Sequence, residues 1–250
     1  MKIENKIALI TGGAQGIGYS IAEKYCSEGA CVFIGDMNEK QGRQAVENLA
    51  KYAGYIFFLP LDVTKEESWT SVVSHIIHEK GRLDILVNNA GINIRKIITE
   101  ISADELDKMY SVNIKGPFLG IKYTLPIFEK QHEGIIINIS SVCGLVGHKY
   151  TPEAYTTTKG AITLLTKSIA SRYGKYNIRC NSIHPSTVKT ALVEEFLKDP
   201  EKLRERIGEV PLGRLALPSD IAEAALFLAS DSGAFINGVS LPVDGGVTAW

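Results

Sequence analysis

The segment IALITGGAQGIG, residues 7–18, is the strongest indication of how this chain folds. Its first five residues are apolar or β-branched and predict a buried strand, and the glycine-rich turn after them leads into a helical pattern. Gly12 permits a tight turn, Gly16 allows the backbone to approach a ligand, and Gly18 allows helix and strand to pack closely. In such a strand–turn–helix unit a pyrophosphate can rest on the helix N-terminus. We therefore expect a dinucleotide site, although the G-x-x-x-G-x-G spacing differs from the more familiar G-x-G-x-x-G.

The rest of the chain repeats this alternation of strand and helix. Strands are predicted at 7–11, 31–36, 56–61, 85–88, 134–140, 178–183 and 239–243, and helices at about 17–28, 38–52, 65–80, 102–130, 153–174 and 219–230. Because apolar strands separated by helices favour a parallel sheet covered on both faces, we predict an α/β, doubly wound Rossmann fold with seven mostly parallel strands. Pro242 lacks an amide hydrogen, so its strand should lie at a sheet edge.

Neither a linker nor a repeat divides the chain, and we predict a single dinucleotide-binding catalytic domain over 1–250. The charged, helical segment 190–211 interrupts the alternation between the sixth strand and the last helix. It should lie at the carboxyl edge of the sheet, where ligands bind in folds of this type. We therefore expect it to act as a mobile lid over the substrate.

Composition and charge argue against several classes of function. The chain has 27 basic and 28 acidic residues and no basic run, which argues against nucleic acid and anionic membranes as partners. No apolar run approaches the roughly 20 residues that span a bilayer, and the first predicted strand begins too early for a signal peptide. The four cysteines form no C-x-x-C pair, and His75 and His78 have no third ligand in view, so no metal site is expected. These features predict a cytoplasmic protein with reduced thiols.

Tyr155 and Lys159 are four residues apart in a predicted helix, and therefore lie on one face and one turn apart. A neighbouring ammonium group stabilises a phenolate, which brings the proton of a phenol with a reference pKa of about 10 closer to neutral pH. Ser141 precedes Tyr155 by 14 residues, and both follow the glycine-rich turn. The combination predicts a nicotinamide-dependent oxidoreductase in which the phenol is the proton donor.

Asp36 ends the second predicted strand, 18 residues after Gly18. A carboxylate in this place can accept hydrogen bonds from the 2′- and 3′-hydroxyl groups of adenosine, and it would repel a 2′-phosphate. The turn offers Gln15 and no arginine to offset that repulsion. The sequence therefore favours NAD(H) over NADP(H) as the cofactor.

Together these motifs resemble the short-chain dehydrogenase/reductase family over essentially the whole chain. The matching features are TGGAQGIG at 11–18, NNAG at 88–91, PLGR at 211–214 and VDGG at 243–246, with Asn113, Ser141, Tyr155 and Lys159 between them. The resemblance implies a catalytic tetrad of Asn113, Ser141, Tyr155 and Lys159. It implies a cofactor site formed by Gly12, Gln15, Gly16, Ile17, Gly18, Asp36, Asp62, Val63, Asn89, Ala90, Gly91, Tyr155, Lys159, Pro185, Val188 and Thr190, with Asn88 beside them.

The resemblance also implies a role for each member of the tetrad. Tyr155 would protonate the substrate carbonyl oxygen, and Ser141 would hydrogen-bond the same oxygen. Lys159 would bind the ribose hydroxyl groups and lower the pKa of Tyr155, while Asn113 would hold a water molecule that links Lys159 to solvent. Ser140 and Ser141 should point to opposite faces of the strand end, and the motif favours Ser141.

The predicted substrate-binding residues are Ser141, Cys143, His148, Tyr155 and Ser186, and the further pocket borders are Ile92, Asn93, Leu145, Leu192 and Phe196. Ser186 stands where the family usually has the glycine of a Pro-Gly pair, and it places a hydroxymethyl group near the nicotinamide. The borders are mostly apolar and carry few charges, which suits a neutral secondary alcohol or ketone.

Three other functions stay open at this point. A 3-oxoacyl thioester (acyl-carrier-protein) reductase of the same family would share every motif, but more often uses NADPH. An epimerase or dehydratase acting on a nucleotide sugar is usually longer and has a C-terminal substrate domain. A non-catalytic dinucleotide sensor should have lost a tetrad member. Family resemblance also implies a homotetramer built from the helices near 102–130 and 153–174 and from the C-terminal edge.

Overall fold

Seven strands alternate with helices in the computed structural model, which describes residues 1–249 and their side chains except those of Leu192, Glu195 and Phe196. The strands are β1 (Ile7–Thr11), β2 (Cys31–Asp36), β3 (Ile56–Pro60), β4 (Ile85–Asn88), β5 (Gly134–Ile139), β6 (Ile178–Pro185) and β7 (Ser240–Val243). The helices are α1 (Gly16–Ser27), α2 (Glu39–Asn48), α3 (Glu66–Lys80), α4 (Ala103–Tyr110), α5 (Gly116–Gln131), α6 (Glu153–Tyr173), α7 (Ala191–Leu197), α8 (Pro200–Gly208) and α9 (Pro218–Ala229). Within this described part of the chain, no helix is both long and apolar enough to cross a lipid bilayer.

The strands form one sheet in the order β3-β2-β1-β4-β5-β6-β7, and every neighbouring pair is parallel. The predicted seven-stranded, doubly wound sheet is confirmed, with all strands parallel rather than most of them. The strand order reverses between β1 and β4, so a crevice opens at the carboxyl ends of these two strands. Pro242 lies in β7 at the edge of the sheet, as its missing amide hydrogen predicts.

Helices cover both faces of the sheet, and each face has its own apolar cluster. On one face, Tyr25 of α1 and Leu226 of α9 pack with Ile10 of β1. On the other face, Trp69 of α3 packs with Leu9 of β1, because neighbouring residues of a strand point to opposite sides. The Trp69 indole also donates a hydrogen bond of 3.0 Å to a backbone carbonyl just after β3. The core therefore holds the strand ends in place at the edge where the crevice opens.

Three element boundaries differ from the prediction in ways that matter for the site. The predicted helix 102–130 is divided into α4 and α5 by a π-helical turn, Ser111–Lys115, and single π turns of this kind are frequent at functional sites. Strand β6 continues through Pro185 because it pairs with β7 up to that residue. The segment 190–211 contains two short helices, α7 and α8, where the sequence predicted one charged helical insertion.

Gly18 and Gly160 form a matched pair for testing how closely α1 packs against the turn before it. A methyl group on Gly18 would lie 2.3 Å from the Gly12 carbonyl oxygen, whereas nothing lies within 4 Å of one on Gly160 in α6. We expect Gly18→Ala to lower the free energy of unfolding by about 1–3 kcal/mol, because the backbone must move. Gly160→Ala should raise it by about 0.4–1 kcal/mol, since alanine restricts the unfolded chain. Urea unfolding measures both changes, and equal effects would contradict the close packing.

Candidate active site

A cleft of about 1180 Å³ opens at the carboxyl ends of the strands, and most of the predicted site residues line it. Those residues are Gly12, Gln15, Gly16, Ile17, Asp36, Asp62, Val63, Asn89, Ala90, Gly91, Ser141, His148, Tyr155, Lys159, Pro185, Ser186, Val188 and Thr190. Gly18, Asn113 and Cys143 are described as well, but they do not line the cleft. The fold thus brings together residues that are up to 178 positions apart in the sequence, from Gly12 to Thr190.

The glycine-rich turn leaves the N-terminus of α1 open toward the cleft. Gly12 and Gly16 have φ angles of 62° and 58°, in the left-handed region that favours glycine. Gly16 is the first residue of α1, whose first turn contains no acidic side chain. Gly18 lies against the Gly12 carbonyl group and sets the close approach of helix and turn. An open helix N-terminus of this kind is suited to binding a phosphate group.

Two side chains fasten this turn to the chain that follows β4. The Asn89 amide donates hydrogen bonds to the carbonyl oxygens of Thr11, at 3.0 Å, and Gly12, at 2.9 Å. The Thr11 hydroxyl oxygen in turn accepts hydrogen bonds from the backbone amides of Asn89 and Ala90, both at 3.0 Å. Asn89 therefore acts on the turn through its side chain. The sequence analysis did not identify Thr11 as a residue that supports the site. A hydroxyl group at the end of an otherwise apolar strand could have indicated this role.

Asp36 lies at the cleft wall where β2 ends. Its Oδ2 atom accepts a hydrogen bond from the Ala14 amide at 3.3 Å, and its Oδ1 atom accepts one from the Asn38 amide at 3.0 Å. At the end of the next strand, Asp62 accepts hydrogen bonds from the amide of Thr64 at 2.9 Å and from its hydroxyl at 2.7 Å. The cleft-lining residues nearest to Asp36 in the chain, Met37, Asn38 and Gln41, are not basic.

Tyr155 and Lys159 lie one turn apart on α6, with the lysine Nζ 5.5 Å from the centre of the tyrosine ring. Lys159 is buried, and its Nζ donates a hydrogen bond of 2.8 Å to the Ile139 carbonyl oxygen. Burial lowers the pKa of Lys159 to about 8. Burial also raises the pKa of Tyr155, and the positive charge of Arg95 partly offsets this rise. The sequence predicts that Lys159 lowers the pKa of Tyr155. In the structure the desolvation of both groups opposes that effect.

The π-helical turn places Asn113 beside this pair. Its Oδ1 atom accepts a hydrogen bond from the Ile92 amide at 2.8 Å, and its Nδ2 atom donates to the Ile92 carbonyl oxygen at 2.8 Å and to the Thr158 hydroxyl at 3.1 Å. A methyl group built on Gly91 would lie 3.4 Å from Asn113 Oδ1 and 3.7 Å from Lys159 Nζ. Asn113 thus ties the chain after β4 to α6 and brings its oxygen and the lysine nitrogen close to one point.

The adjacent serines at the end of β5 have different surroundings. Ser140 is buried, and its hydroxyl donates a hydrogen bond of 3.0 Å to the carbonyl oxygen of Lys159. Ser141 is partly exposed and lines the cleft; its Oγ atom accepts a long hydrogen bond of 3.4 Å from the Cys143 amide and interacts with the Cys143 thiol. The hydrogen of the Ser141 hydroxyl can therefore be donated to a ligand in the cleft.

The loop before α6 meets the end of α8 at the far end of the cleft. The Arg206 guanidinium lies 4.6 Å from the centre of the Tyr150 ring, donates to the Tyr150 carbonyl oxygen at 3.3 Å and pairs with Glu209 at 3.3 Å. His148 Nε2 lies 3.5 Å from the Glu209 carboxylate, and burial lowers the pKa of His148. Tyr150, Arg206 and Glu209 also line the cleft. The sequence analysis did not identify these three as neighbours, because the contact of Arg206 with Tyr150 joins a helix to a loop 56 residues away in the chain.

Cys143 is a correction to the predicted substrate wall. Its side chain is only 3 % exposed, because the short 3₁₀ turn Val142–Gly144 directs it inward, and burial raises the pKa of its thiol. Among the described residues, Leu145 is exposed, and neither Leu145 nor Cys143 lines the cleft. Ile92 and Asn93 do line it, whereas the side chains of Leu192 and Phe196 lie outside those described.

Two oxygen atoms in the cleft wall are buried without a partner among the described residues, Asn93 Oδ1 and Ser186 Oγ. Buried polar atoms are nearly always hydrogen-bonded, so these two indicate that a polar ligand completes this part of the cleft. The left-handed glycines at the N-terminus of α1 and the carboxylate of Asp36 lie farther along the same cleft. This combination of donors, acceptors and close backbone approach fits a nicotinamide dinucleotide lying across the carboxyl ends of the strands.

Comparisons with known proteins agree with this geometry over nearly the full length of the chain. Residues 12–248 match a protein-family model described as Enoyl-(Acyl carrier protein) reductase. Cyclopentanol dehydrogenase of Comamonas testosteroni is 42% identical over 248 residues, which cover 99% of each chain. Trans-4-hydroxycyclohexanecarboxylate dehydrogenase of Sinomonas cyclohexanicum is 41% identical over 254 residues, which cover 99% of this chain and 95% of the relative.

A solved structure shows the same architecture. The crystal structure of gox2181 superposes with a TM-score of 0.97 at 31% sequence identity, over 100% of this chain and 98% of that one. All three comparisons include the glycine-rich turn together with Ser141, Tyr155 and Lys159. This protein belongs to the short-chain dehydrogenase/reductase family.

Proposed function

We propose that this protein is an NAD(H)-dependent dehydrogenase that interconverts a small cyclic secondary alcohol and its ketone by hydride transfer. The observation that carries the proposal is that Ser141, Tyr155 and Lys159 line the same cleft as Asp36 and the glycine-rich turn. Relatives at 42% and 41% identity are named as dehydrogenases of cyclic alcohols. Oxidation of a panel of cyclic alcohols with NAD or NADP, followed by cofactor absorbance, tests the reaction class and the cofactor together.

The residues proposed to hold the cofactor follow the cleft from the end of β2 to the chain after β6. Asp36 would accept hydrogen bonds from the adenosine ribose, and the amides at the start of α1 would bind the pyrophosphate. Val188 and Thr190 would bind the carboxamide group, and the nicotinamide, when bound, supplies or accepts the hydride. A methyl group on Gly16 would lie 3.4 Å from the Thr190 methyl group, so the turn and this segment approach each other closely where both line the cleft.

The side chains of the protein then transfer the proton and orient the substrate. In alcohol oxidation Tyr155, as tyrosinate, accepts the hydroxyl proton, and the Ser141 hydroxyl donates to the substrate oxygen and orients it. Lys159, whose Nζ lies 5.5 Å from the centre of the Tyr155 ring, would favour the tyrosinate electrostatically. Asn113 and Lys159 approach one point beside Gly91, where a water molecule would connect the lysine to solvent. In ketone reduction the same steps run backwards.

The substrate end of the cleft supports a small, mainly apolar substrate. Its apolar wall contains Ile92, Val142, Val193, Val210 and Val247. Two arginines lie at this end: Arg206 is buried and pairs with Glu209, and Arg95 is near enough for its charge to act on Tyr155. A five- or six-membered ring whose oxygen reaches Ser141 and Tyr155 would leave its apolar edge against the valines.

The description of the matching family model favours a second candidate, the reduction of an acyl thioester carried by an acyl carrier protein. A 3-oxoacyl thioester reductase of this kind would share the tetrad and more often use NADPH. Asp36 opposes it, because a carboxylate beside the ribose repels a 2′-phosphate. Efficient reduction of a 3-oxoacyl thioester with NADPH, together with no turnover of cyclic alcohols, would favour this candidate.

We propose that segment 190–211 is a lid that closes over the substrate end. Its support is the contact of Arg206 and Glu209 with Tyr150 and His148 across the cleft mouth. Limited tryptic digestion should cut near Lys198, Lys202, Arg204 or Arg206 in the ligand-free protein and more slowly with NAD present. Equal rates of cleavage with and without NAD would contradict the lid.

We propose a homotetramer assembled through α5, α6 and the C-terminal edge. Large apolar side chains on these elements are exposed, namely Phe118 at 55%, Leu164 at 69% and Phe235 fully. Exposed aromatic and aliphatic side chains of this size commonly mark protein contacts. Light scattering of the purified protein measures the assembly.

Tyr155→Phe should lower kcat by about 10²–10⁴-fold while the dissociation constant of NADH stays nearly unchanged. The ring keeps its packing on α6, and only the transferable proton is lost. Tyr173→Phe, which removes a hydroxyl from the last residue of the same helix, serves as the control and should retain full activity. Stopped-flow kinetics and NADH fluorescence titration measure the two quantities. A kcat above about a tenth of the wild-type value would exclude Tyr155 as the general acid–base group.

Cofactor preference should depend on Asp36. At about 4 Å and an effective dielectric constant near 20, each unit of like-charge repulsion amounts to about 4 kcal/mol before screening, and a third of that gives roughly tenfold discrimination. We expect wild type to prefer NAD(H) by about tenfold or more in kcat/KM, Asp36→Ala to lose most of the preference, and adding Met37→Arg to begin to reverse it. The surface variant Asp231→Ala is the control. Equal efficiency with both cofactors in wild type would show that Asp36 does not face the ribose.

The buried charge of Lys159 should reduce the stability of the ligand-free protein. Its pKa of about 8 lies below the ordinary 10.5, so between these values the unfolded chain binds more protons than the folded one. Stability from this group therefore rises with pH across that window and is lowest below it. Lys159→Met should raise the free energy of unfolding at pH 7 by on the order of 1–3 kcal/mol, and by less near pH 10, while turnover is lost.

Thermal unfolding of wild type and variant at the two pH values measures this effect. Lys167→Met, on the same helix and exposed to solvent, is the matched control and should change stability little at either pH. A Lys159→Met protein that is less stable than wild type at pH 7 would show that the hydrogen bond to Ile139 outweighs the desolvation of the ammonium group.

A further inference from the structure

His184 is a buried titratable side chain that the proposed reaction does not use. It lies in β6, is fully buried, and does not line the cleft in the described part of the chain. Its Nδ1 atom lies 2.8 Å from the carbonyl oxygen of Ser141, and its Nε2 atom lies 2.8 Å from the hydroxyl oxygen of Ser182. The imidazole therefore connects the interior of β6 to the residue that follows β5.

The partners of His184 determine where its hydrogen lies. A carbonyl oxygen can only accept, so Nδ1 carries the hydrogen and donates it to Ser141. In the neutral ring Nε2 is then the acceptor, and the Ser182 hydroxyl donates its hydrogen to Nε2 at 2.8 Å in preference to the Val239 carbonyl oxygen at 3.4 Å. Burial lowers the pKa of His184, which favours this neutral form. Both ring nitrogens thus have a partner, and these partners fix the tautomer and the orientation of the ring.

The Ser141 backbone is held much more firmly than the Ser141 side chain. Its carbonyl oxygen accepts hydrogen bonds from His184 and from the Gly144 amide at 2.9 Å. Its Oγ atom accepts a long hydrogen bond of 3.4 Å from the Cys143 amide and interacts with the Cys143 thiol, and both contacts come from the same short turn. The direction of the hydroxyl therefore depends on the backbone conformation of Ser141, and that conformation depends on the two donors to its carbonyl oxygen.

We propose that His184 is a positioning residue for the reaction, which holds the Ser141 carbonyl group so that the Ser141 hydroxyl points at the substrate oxygen. This inference rests on the proposed function, since it assigns His184 a role through Ser141. Of the two donors to that carbonyl oxygen, the Gly144 amide comes from the local turn and His184 comes from the neighbouring strand. The Ser140 amide already joins the end of β5 to β6 through the Ile183 carbonyl oxygen at 2.8 Å, and His184 extends this link to the Ser141 carbonyl group. Beyond His184 the chain enters the cleft wall at Pro185 and Ser186.

Two substitutions at this position separate hydrogen bonding from packing. His184→Asn places an amide nitrogen near the position of Nδ1, where it can still donate to the Ser141 carbonyl oxygen. His184→Gln places its amide nearer the position of Nε2 and leaves that oxygen without this donor. We expect the glutamine variant to lose about 10–100-fold in kcat with the NADH dissociation constant unchanged, and asparagine to recover most of that loss. Equal losses in both variants would overturn the proposal.

The decisive measurement is a double-mutant cycle with Ser141→Ala. If His184 acts through the Ser141 hydroxyl, His184→Gln should lower kcat by less than about twofold in the Ser141→Ala background. A purely structural role predicts the full loss in both backgrounds, and that result would also overturn the proposal. Ser182→Ala, which removes the partner of Nε2 with little change in volume, should act in the same direction and replaces His184→Gln in the cycle if the latter does not fold.

A spectroscopic readout separates this inference from the proposed function. The ¹⁵N chemical shifts of His184 in the ligand-free protein should report the neutral tautomer with hydrogen on Nδ1, whatever the substrate is. An Nε2–H tautomer or an imidazolium at pH 7 would contradict the assigned contact with the Ser141 carbonyl oxygen. Absence of dehydrogenase activity in wild type would instead refute the proposed function and leave the tautomer result standing.

Discussion

The hydrogen bonds from the Asn89 amide to the carbonyl oxygens of Thr11 and Gly12 are the interaction on which the cleft depends. They join β1 to the chain after β4 at the place where the strand order reverses, and this is where a parallel sheet opens a crevice. The approach is so close that a methyl group on Gly12 would lie 2.9 Å from the Ala90 Cα atom, and one on Gly18 would lie 2.5 Å from the Asn89 amide nitrogen. The glycines are thus required both by the neighbouring chain and by the left-handed backbone.

The same edge of the sheet gathers polar groups whose burial opposes folding. Lys159 is 5 % exposed, and desolvation shifts its pKa down while it shifts that of Tyr155 up. Both shifts disfavour the charged forms that proton transfer needs, so the surrounding dipoles must compensate. The Ile139 carbonyl oxygen, which accepts from Lys159, and the nearby charge of Arg95 act in that direction. The apolar clusters on both faces of the sheet stabilise the fold. The polar groups at the edge of the sheet therefore do not have to contribute to stability.

The strand alternation, the sheet class and the edge position of Pro242 could be predicted, because each follows from local pattern or from the properties of proline. Most residues that line the cleft were predicted from the resemblance to the family, and their roles stay predictions. The π-helical turn at Asn113 could not be predicted, since one extra residue in a long apolar helix leaves no mark in its periodicity. The burial of Cys143 could not be predicted, because a short 3₁₀ turn follows the strand at this point. His184 and the contact of Arg206 with Tyr150 were missed because only the assembled fold brings their partners within reach.

Several of the contacts that set up the site end on backbone atoms. Asn89 binds the carbonyl groups of the turn, Asn113 binds both backbone groups of Ile92, Lys159 binds the Ile139 carbonyl oxygen, and His184 binds that of Ser141. A side chain that hydrogen-bonds a backbone group constrains the path of that backbone, and this effect does not depend on which side chain the bonded residue has. Other parts of the cleft wall are formed by side chains such as Asn93 and Ser186, whose oxygen atoms have no hydrogen-bond partner among the described residues. The fold can therefore keep the geometry of proton transfer fixed while the residues that recognise the substrate vary.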